Sequence, residues 1–193
     1  MTKFENSVKQ IIRVNHAGEY GAQKIYSGQI KFCKNSKLKK KLERISSEEK
    51  VHFDYFDEQI IKQRVRPTLM SPLWNILGTT LGVVSSRLGE DYVNACTESV
   101  EEIIVDHYKK QIAFLNNKKI NNELKKKIEK FCKEEDAHRE DALNSVTGGD
   151  NLGVKLFKKL NEEGQTIILI THEDEIAKKS KRVITIMDGL IES

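Results

Sequence analysis

Glutamate and histidine occur twice at a spacing of three residues, as Glu49 with His52 and as Glu135 with His138. Residues three apart lie on the same face of a helix, so each pair can offer a carboxylate oxygen and an imidazole nitrogen to one metal ion or to two adjacent ions. A buried carboxylate must be paired, hydrogen bonded or bound to a cation. If the two pairs face a core, they therefore indicate a metal site.

Apolar residues at helical spacing place both pairs on core-facing positions. Each pair interrupts its stripe at the same phase, and two pairs in one phase are much less expected by chance than a single pair. The stripes are Leu38, Leu42, Ile45, Glu49, His52 and Phe56, and Leu124, Ile128, Phe131, Glu135, His138 and Ala142.

Two further carboxylates, Glu19 and Glu101, occupy core-facing positions of the other helices. The order along the chain is a helix with Glu and a helix with Glu-x-x-His, followed by the same two helices again. This internal duplication is the arrangement of ferritin-like di-iron or di-manganese carboxylate proteins. Four carboxylates and two imidazoles favour iron or manganese over structural zinc, and two metals about 4 Å apart could bind and activate O₂.

The periodicity predicts main helices over residues 4–33, 36–64, 90–116 and 121–145. The segment 69–86 between the second and third helices holds no charged residue and is too polar for a membrane span. It is either a buried crossover helix or a helix that lies in a membrane interface. The predicted fold class is all-α, a ferritin-like four-helix bundle with a long crossover between its second and third helices.

The composition agrees with one helical domain and an appendage in a chain of 193 residues. With 38% hydrophobic and 32% charged residues and only 2 prolines, the chain is neither disordered nor an all-β sandwich. The net charge of +4 comes from interleaved basic and acidic residues, so no nucleic-acid partner is expected. Three cysteines without a CxxC pattern fit a reducing compartment, and the first ten residues, which include Glu5 and lack an apolar run, argue against a signal peptide.

Three long segments carry a family resemblance. They read IIRVNHAGEYGAQKIYSGQ over 11–29, RVRPTLMSPLWNILGTTLG over 64–82 and CTESVEEIIVDHYKKQ over 96–111. Over about residues 5–158 the chain resembles the demethoxyubiquinone hydroxylase family of ubiquinone biosynthesis. The resemblance implies a di-iron domain spanning residues 1–158. It also implies metal ligands that coincide with the residues found from spacing, namely Glu19, Glu49, His52, Glu101, Glu135 and His138.

The resemblance also implies the chemistry and the partners. A di-iron monooxygenase would use O₂ to hydroxylate the ring of demethoxyubiquinol, with electrons from NADH or from the quinol itself. His107 and Tyr108 are candidates to hydrogen bond to the ligands or to carry electrons, whereas His16 is expected to be structural. Glu48, Glu102 and Glu134 adjoin proposed ligands, and we expect them around the ligands or in solvent.

In this family the uncharged crossover forms part of the apolar surface through which a membrane-dissolved quinone enters. The resemblance therefore favours the interfacial alternative for residues 69–86. We expect a peripheral protein on the cytoplasmic face of a bacterial-type inner membrane, acting as a homodimer or within a ubiquinone-biosynthesis complex. The basic stretches 37–41 and 125–127 are predicted to be solvated helix faces, with contact to anionic lipid as the alternative.

The pattern changes after Thr147, Gly148 and Gly149. Two β-rich runs, 166–171 and 182–187, flank a short helical stretch and predict a strand-helix-strand appendage. From Leu160 onward the sequence is similar to the C-terminal end of an ABC transporter ATPase domain, with His172 at the place of its switch histidine. Because the chain has no G-x-x-x-x-G-K-[ST] phosphate loop, residues 159–193 are expected to be a non-functional fragment.

Three functions remain open at this stage. The first is the di-iron quinol hydroxylase. The second is a ferritin-like iron-binding or ferroxidase protein that consumes O₂ without any dependence on quinone. The third is an inactive chimera, with an intact metal site and a quinone pocket disrupted by the altered C-terminus.

Overall fold

The computed structural model describes residues 3–145, with side chains from Glu5 onward, and the segments 185–187 and 190–192. The predicted all-α bundle is confirmed, and the four main helices end within two residues of the predicted bounds. The chain divides into two compact units, residues 1–148 and 149–193. The helices are α1 (Lys3–Phe32), α2 (Ser36–Lys62), α3 (Ser71–Leu88), α4 (Glu90–Lys118) and α5 (Asn122–Ser145).

Short loops connect the two helices in each half of the bundle. The side chain of Asn35 accepts hydrogen bonds from the backbone N–H groups of Lys37 and Leu38, which caps α2. Asn121 accepts one from the N–H group of Leu124 and caps α5 in the same way. The duplication of the sequence therefore extends to the caps of the two helices that carry Glu-x-x-His.

The crossover segment forms α3, which packs closely against α1 through glycine. A Cβ atom at Gly82 would lie 2.0 Å from the backbone oxygen of Ile25, and one at Gly28 would lie 2.6 Å from that of Thr79. Only glycine permits two helix backbones to approach this closely. Gly89, with φ of 122°, then turns the chain directly into α4.

The outer face of α3 is apolar and exposed, so the buried-crossover alternative is wrong for this helix. The exposed fractions are 66% for Ile76, 50% for Leu77 and 43% for Trp74. Among the described residues, no helix combines the length and the apolar character needed to cross a membrane.

A polar layer separates two apolar clusters inside the bundle. Along α1, for example, Ile12 belongs to one cluster and Tyr26 to the other, with Glu19 between them. The larger cluster contains Ile11, Ile12, Phe56, Ile60, Val65, Val105, Tyr108, Leu115, Leu124, Ile128, Phe131 and Cys132, and the smaller contains Ala22, Tyr26, Leu38, Leu42, Ile45 and Val93. The helices α1, α2 and α4 therefore each contribute to both apolar clusters, whereas α5 contributes to the larger cluster only.

In the C-terminal unit the structure describes β1 (Thr185–Met187) and β2 (Leu190–Glu192), which pair antiparallel with Ile186 opposite Ile191. β1 coincides with the end of the predicted strand 182–187, whereas β2 was not predicted. The predicted strand 166–171, the helix after it, His172 and the proposed domain boundary at 158/159 lie outside the described residues.

Candidate metal centre

The polar layer of the bundle is built from the six residues that the sequence singled out as ligands. All of them are buried, with exposed fractions between 0% and 5%. The structure thus brings together, from four helices that are far apart in sequence, every residue of the predicted ligand set. The contributions are Glu19 from α1, Glu49 and His52 from α2, Glu101 from α4, and Glu135 and His138 from α5.

The two histidines cross between α2 and α5. His52 Nδ1 lies 2.7 Å from Glu135 Oε1, and His138 Nδ1 lies 3.0 Å from Glu49 Oε1. Each imidazole therefore directs Nδ1 toward the glutamate of the other Glu-x-x-His pair. The aromatic ring of Phe131, 4.1 Å from that of His52 between centroids, closes the layer on the side of the larger apolar cluster.

The six residues form two overlapping groups in which potential ligand atoms lie within 4.8 Å of one another. One group adds Glu19 and His52 to a shared pair of glutamates, and the other adds Glu101 and His138 to the same pair. The shared residues are Glu49 and Glu135. Two neighbouring ions bridged by these two carboxylates would each receive one further carboxylate and one imidazole.

Several buried oxygens in the layer lack a hydrogen-bond partner among the described residues. They include Glu19 Oε2, Glu49 Oε2 and Glu101 Oε2. Buried polar atoms are nearly always satisfied, and unpaired carboxylates are costly, so these atoms call for a cation. Carboxylate and imidazole ligands without thiolate suit iron or manganese, so the residues present fit a pair of such ions.

Without metal, the two histidines balance part of the negative charge. Burial opposes the charged imidazole of His52, but hydrogen bonds with Glu135 and Glu49 and their charges raise its pKa to about 11. For His138, burial is likewise outweighed by Glu135 and Glu49, and the pKa rises to about 10. Burial favours a protonated Glu49, yet the neighbouring imidazoles of His138 and His52 lower its pKa to about 2.

The pKa values of Glu19 and Glu101 move the opposite way. Burial is the largest cause for both carboxyl groups, and the charges of Glu135 and Glu49 also raise both pKa values well above the ordinary range. The same layer thus holds protons on four groups that would have to release them to bind metal. Two of those groups are imidazoles and two are carboxyl groups.

Two buried tyrosines hydrogen bond to Glu19 and Glu101, the two glutamates that each belong to only one ligand group. The hydroxyl group of Tyr108 on α4 donates to Glu19, and that of Tyr26 on α1 donates to Glu101. Burial is the largest cause that raises the pKa of each tyrosine well above its usual value, so both stay protonated donors. The sequence reasoning named Tyr108 and missed Tyr26, although each tyrosine follows its own helix's ligand glutamate by seven residues.

The prediction that grouped His107 with Tyr108 needs a correction. Tyr108 is buried at the layer, whereas His107 is exposed on another face of α4, because consecutive helical residues are rotated by about 100°. His16 lies outside the layer, where Nε2 is 3.2 Å from Asp57 Oδ1 and the ring packs on Phe53.

Glu48 and Glu134, which were expected around the ligands or in solvent, contact the outer nitrogens of the histidines. Glu48 Oε2 lies 2.6 Å from His138 Nε2, and Glu134 Oε2 lies 3.0 Å from His52 Nε2. Both carboxylates are half-buried. The duplicated pattern Glu-Glu-x-x-His was the available signal for these contacts.

The fold and the layer define a ferritin-like helical bundle whose buried carboxylates and histidines fit a dinuclear metal centre. Residues 6–168 match the family described as ubiquinone biosynthesis protein COQ7. The chain belongs to that family, which confirms the resemblance found in its motifs. The matched region extends past residue 160, where the similarity to an ABC transporter ATPase was placed, and that second similarity stays a prediction.

Curated proteins similar to this chain are named as hydroxylases. The chain is 42% identical to the NADPH-dependent 3-demethoxyubiquinone 3-hydroxylase of Dictyostelium discoideum over 68% of this chain and 61% of the relative. It is 41% identical to the human protein of the same name, over 72% and 64%. It is 38% identical to the 3-demethoxyubiquinol 3-hydroxylase of Rhodospirillum rubrum, over 69% and 62%. The alignments thus span about three-fifths of each relative's length.

Proposed function

We propose that this protein is an O₂-dependent di-iron monooxygenase that hydroxylates the ring of demethoxyubiquinol. The observation that carries the proposal is the pair of overlapping ligand groups sharing Glu49 and Glu135. The relatives, which are named demethoxyubiquinone or demethoxyubiquinol hydroxylases, support the substrate class.

The overall reaction places one oxygen atom of O₂ in a ring C–H bond and releases the other as water. This balance needs two electrons and two protons beyond the substrate. A quinol supplies all of them, whereas a reduced nicotinamide supplies the electrons and one proton, and the second proton comes from solvent. NADPH appears in the names of the mitochondrial relatives. Iron bound at the layer would supply the redox chemistry that activates O₂.

The residues of the polar layer would have different roles in binding two ions. Glu49 and Glu135 belong to both ligand groups and would help to hold both ions, while Nδ1 of His52 and of His138 would complete one group each. Tyr108 and Tyr26 orient the two remaining glutamates through hydrogen bonds. The apolar clusters on both sides keep bulk water out, which strengthens every electrostatic interaction inside the layer.

The exposed face of α3 provides the surface for a lipid-soluble substrate. Large apolar side chains are exposed along this helix, and such a patch marks a protein or membrane contact. The stretch 59–88 contains basic residues and no acidic one, which suits an anionic lipid surface. We therefore propose peripheral docking of α3 on the cytoplasmic face of a bacterial-type inner membrane.

The full chain, purified without oxygen and loaded with ferrous iron, tests the proposed function. We expect about two irons per chain and O₂-dependent conversion of a short-tailed demethoxyquinol to its hydroxylated product. The Glu135→Gln variant should lose both iron and turnover. Glu140→Gln, an exposed change on the same helix, should retain both.

Each of the other outcomes would favour a different function for this chain or would overturn the proposed centre. Iron binding with O₂ consumption that ignores the quinol would favour the ferroxidase alternative. Two irons without any turnover would favour the inactive chimera. A chain that binds no stoichiometric iron would overturn the di-iron centre itself.

A further inference from the structure

Glu48 and Glu134 form a reciprocal pair of contacts between α2 and α5. Glu48 on α2 reaches Nε2 of His138 on α5, and Glu134 on α5 reaches Nε2 of His52 on α2. In each helix, the glutamate just before the bridging glutamate binds the histidine of the other helix. The two histidines are therefore held from both nitrogens, from outside the layer at Nε2 and from inside it at Nδ1.

The outer contact decides which nitrogen is free to bind metal. A neutral imidazole carries one N–H group and one lone pair, and a carboxylate at Nε2 can only accept, so the proton stays on Nε2. The lone pair is then on Nδ1, which faces Glu135 in one histidine and Glu49 in the other. A carboxylate behind a ligating histidine also raises its basicity and fixes its ring.

Glu48 and Glu134 each form an ion pair with a basic residue one helical turn earlier on the same helix. Arg44 Nη1 lies 3.1 Å from Glu48 Oε1, and Lys130 Nζ lies 3.3 Å from Glu134 Oε1. In Glu134 the cation and the histidine lie at different carboxylate oxygens, whereas in Glu48 the Arg44 Nη1 atom also lies 3.4 Å from Oε2, the oxygen that contacts His138. The two chains of contacts, cation to glutamate to histidine, thus repeat the duplication of the ligands themselves.

We propose that Glu48 and Glu134 are positioning residues that hold His138 and His52 with Nε2 protonated and Nδ1 directed at the metal ions. The inference rests on the proposed metal centre. It assigns a separate role to two residues that contact no ligand carboxylate and lie at the half-exposed edge of the site.

Cobalt(II) titration of the metal-free full chain tests this role without an activity assay. Visible absorption of the bound ion reports affinity and ligand geometry, and proton NMR of the cobalt form reports the exchangeable imidazole N–H groups. We expect Glu134→Ala to weaken one of two cobalt sites about 10–100-fold and to abolish one N–H signal through exchange with water. Glu48→Ala should do the same at the other site.

Two conservative variants separate positioning from charge. Glu134→Gln keeps an acceptor oxygen at the same reach and should stay within about threefold of the wild-type affinity. Glu134→Asp keeps the charge but withdraws the oxygen by one methylene, so it should weaken binding almost as much as alanine. If circular dichroism shows that Glu134→Ala loses helicity, the comparison of Glu134→Gln with Glu134→Asp still tests the positioning role. Glu102→Ala, at an exposed glutamate beside ligand Glu101, is the control.

The results distinguish failure of this inference from failure of the metal centre. Wild-type protein that binds no cobalt would overturn the proposed centre and this inference together. Normal cobalt binding and both N–H signals in Glu134→Ala and Glu48→Ala would overturn only the positioning role. Equal losses in Glu102→Ala would overturn it as well, because that residue is hydrogen bonded to neither histidine.

Discussion

The hydroxyl group of Tyr26 on α1 donates a hydrogen bond to Glu101 on α4, inside the bundle and away from solvent. Tyr108 on α4 returns the same contact to Glu19 on α1. Glu19 and Glu101 are thus each hydrogen bonded by a tyrosine of the other helix. Both contacts join the first and second halves of the duplicated sequence, so they hold the halves together at the polar layer.

Replacing Tyr26 by phenylalanine removes a donor and leaves a buried carboxylate oxygen without its partner. We expect the free energy of unfolding of the metal-free protein to fall by about 1–3 kcal/mol, which is the usual range for such a loss. Urea denaturation followed by circular dichroism measures it. The half-buried Tyr20, which packs on Phe53, provides the matched Tyr20→Phe control. Equal stability losses in the two variants would contradict the role of the buried hydroxyl.

The shared carboxylates predict different metal counts for different glutamates. Glu135 belongs to both ligand groups, whereas Glu19 belongs to one. We therefore expect Glu135→Gln to lose both ions and Glu19→Gln to retain about one of two. Iron per chain, determined on protein of verified helicity, gives the answer. A Glu19→Gln variant with no metal, or a Glu135→Gln variant with a full complement, would refute the shared-ligand arrangement.

The raised pKa values of the histidines predict that alkali destabilises the metal-free protein. A group whose pKa is higher in the folded chain stabilises it fully below its unfolded pKa, near 6.5 for histidine, and loses that contribution as pH rises through the folded value. For His138 and His52 this window ends at about 10 and about 11. The raised pKa values of Glu19 and Glu101 act in the same direction. The urea midpoint should therefore be lower at pH 9 than at pH 6.5.

Glu49 sets the acid side of the same profile. Its pKa of about 2 lies below the ordinary value, so its contribution to stability is present above about pH 4.5 and lost as pH falls toward 2.

A His52→Asn, His138→Asn double variant tests the alkaline side, and its urea midpoint should fall less between pH 6.5 and 9. An unchanged slope in that variant would assign the pH dependence to groups outside the layer.

Metal uptake should release protons, because the ions compete with them for the same nitrogens and oxygens. Both imidazoles are charged at pH 7 and must become neutral to bind, so at least two protons leave per two ions. Calorimetry of manganese(II) binding in two buffers of different ionisation enthalpy counts them. Binding that is independent of the buffer would contradict the protonated state described for the metal-free layer.

The contact between α1 and α3 predicts opposite effects for two glycines. A Cβ atom at Gly82 would collide with the backbone of Ile25, so Gly82→Ala should destabilise the fold by about 1–3 kcal/mol or more. At Gly18, also helical, a Cβ atom meets nothing within 4 Å, so Gly18→Ala should stabilise it by about 0.5–1 kcal/mol. Thermal unfolding compares the two. The same sign for both changes would refute the close approach.

The helices and the buried positions of the candidate ligands were predictable because both are periodic. Burial on one helix face leaves a stripe in the sequence, and Glu49 with His52 stands out as a polar interruption of that stripe. The partner of Glu134 was not predictable, since it depends on how α2 and α5 are rotated against each other. The antiparallel partner of β1 was missed for a related reason, because three residues are too few to show alternation.

Membrane docking can be followed with the protein's single tryptophan. Trp74 lies on the exposed apolar face of α3, so transfer of this face into lipid should shift its fluorescence to shorter wavelength. We expect the shift with vesicles of phosphatidylethanolamine and phosphatidylglycerol and a smaller one with phosphatidylcholine alone, because the 59–88 stretch is basic.

Two charge insertions of similar exposure decide whether α3 is the docking face. Ile76 on α3 is 66% exposed and Ile103 on α4 is 58% exposed, so neither Ile→Glu change should disturb the core. Glutamate at 76 places a charge in the apolar contact and near anionic headgroups, and it should abolish both the fluorescence shift and co-flotation with the vesicles. Ile103→Glu should leave both unchanged. If the two variants bind alike, the membrane contact lies elsewhere on the protein or does not form.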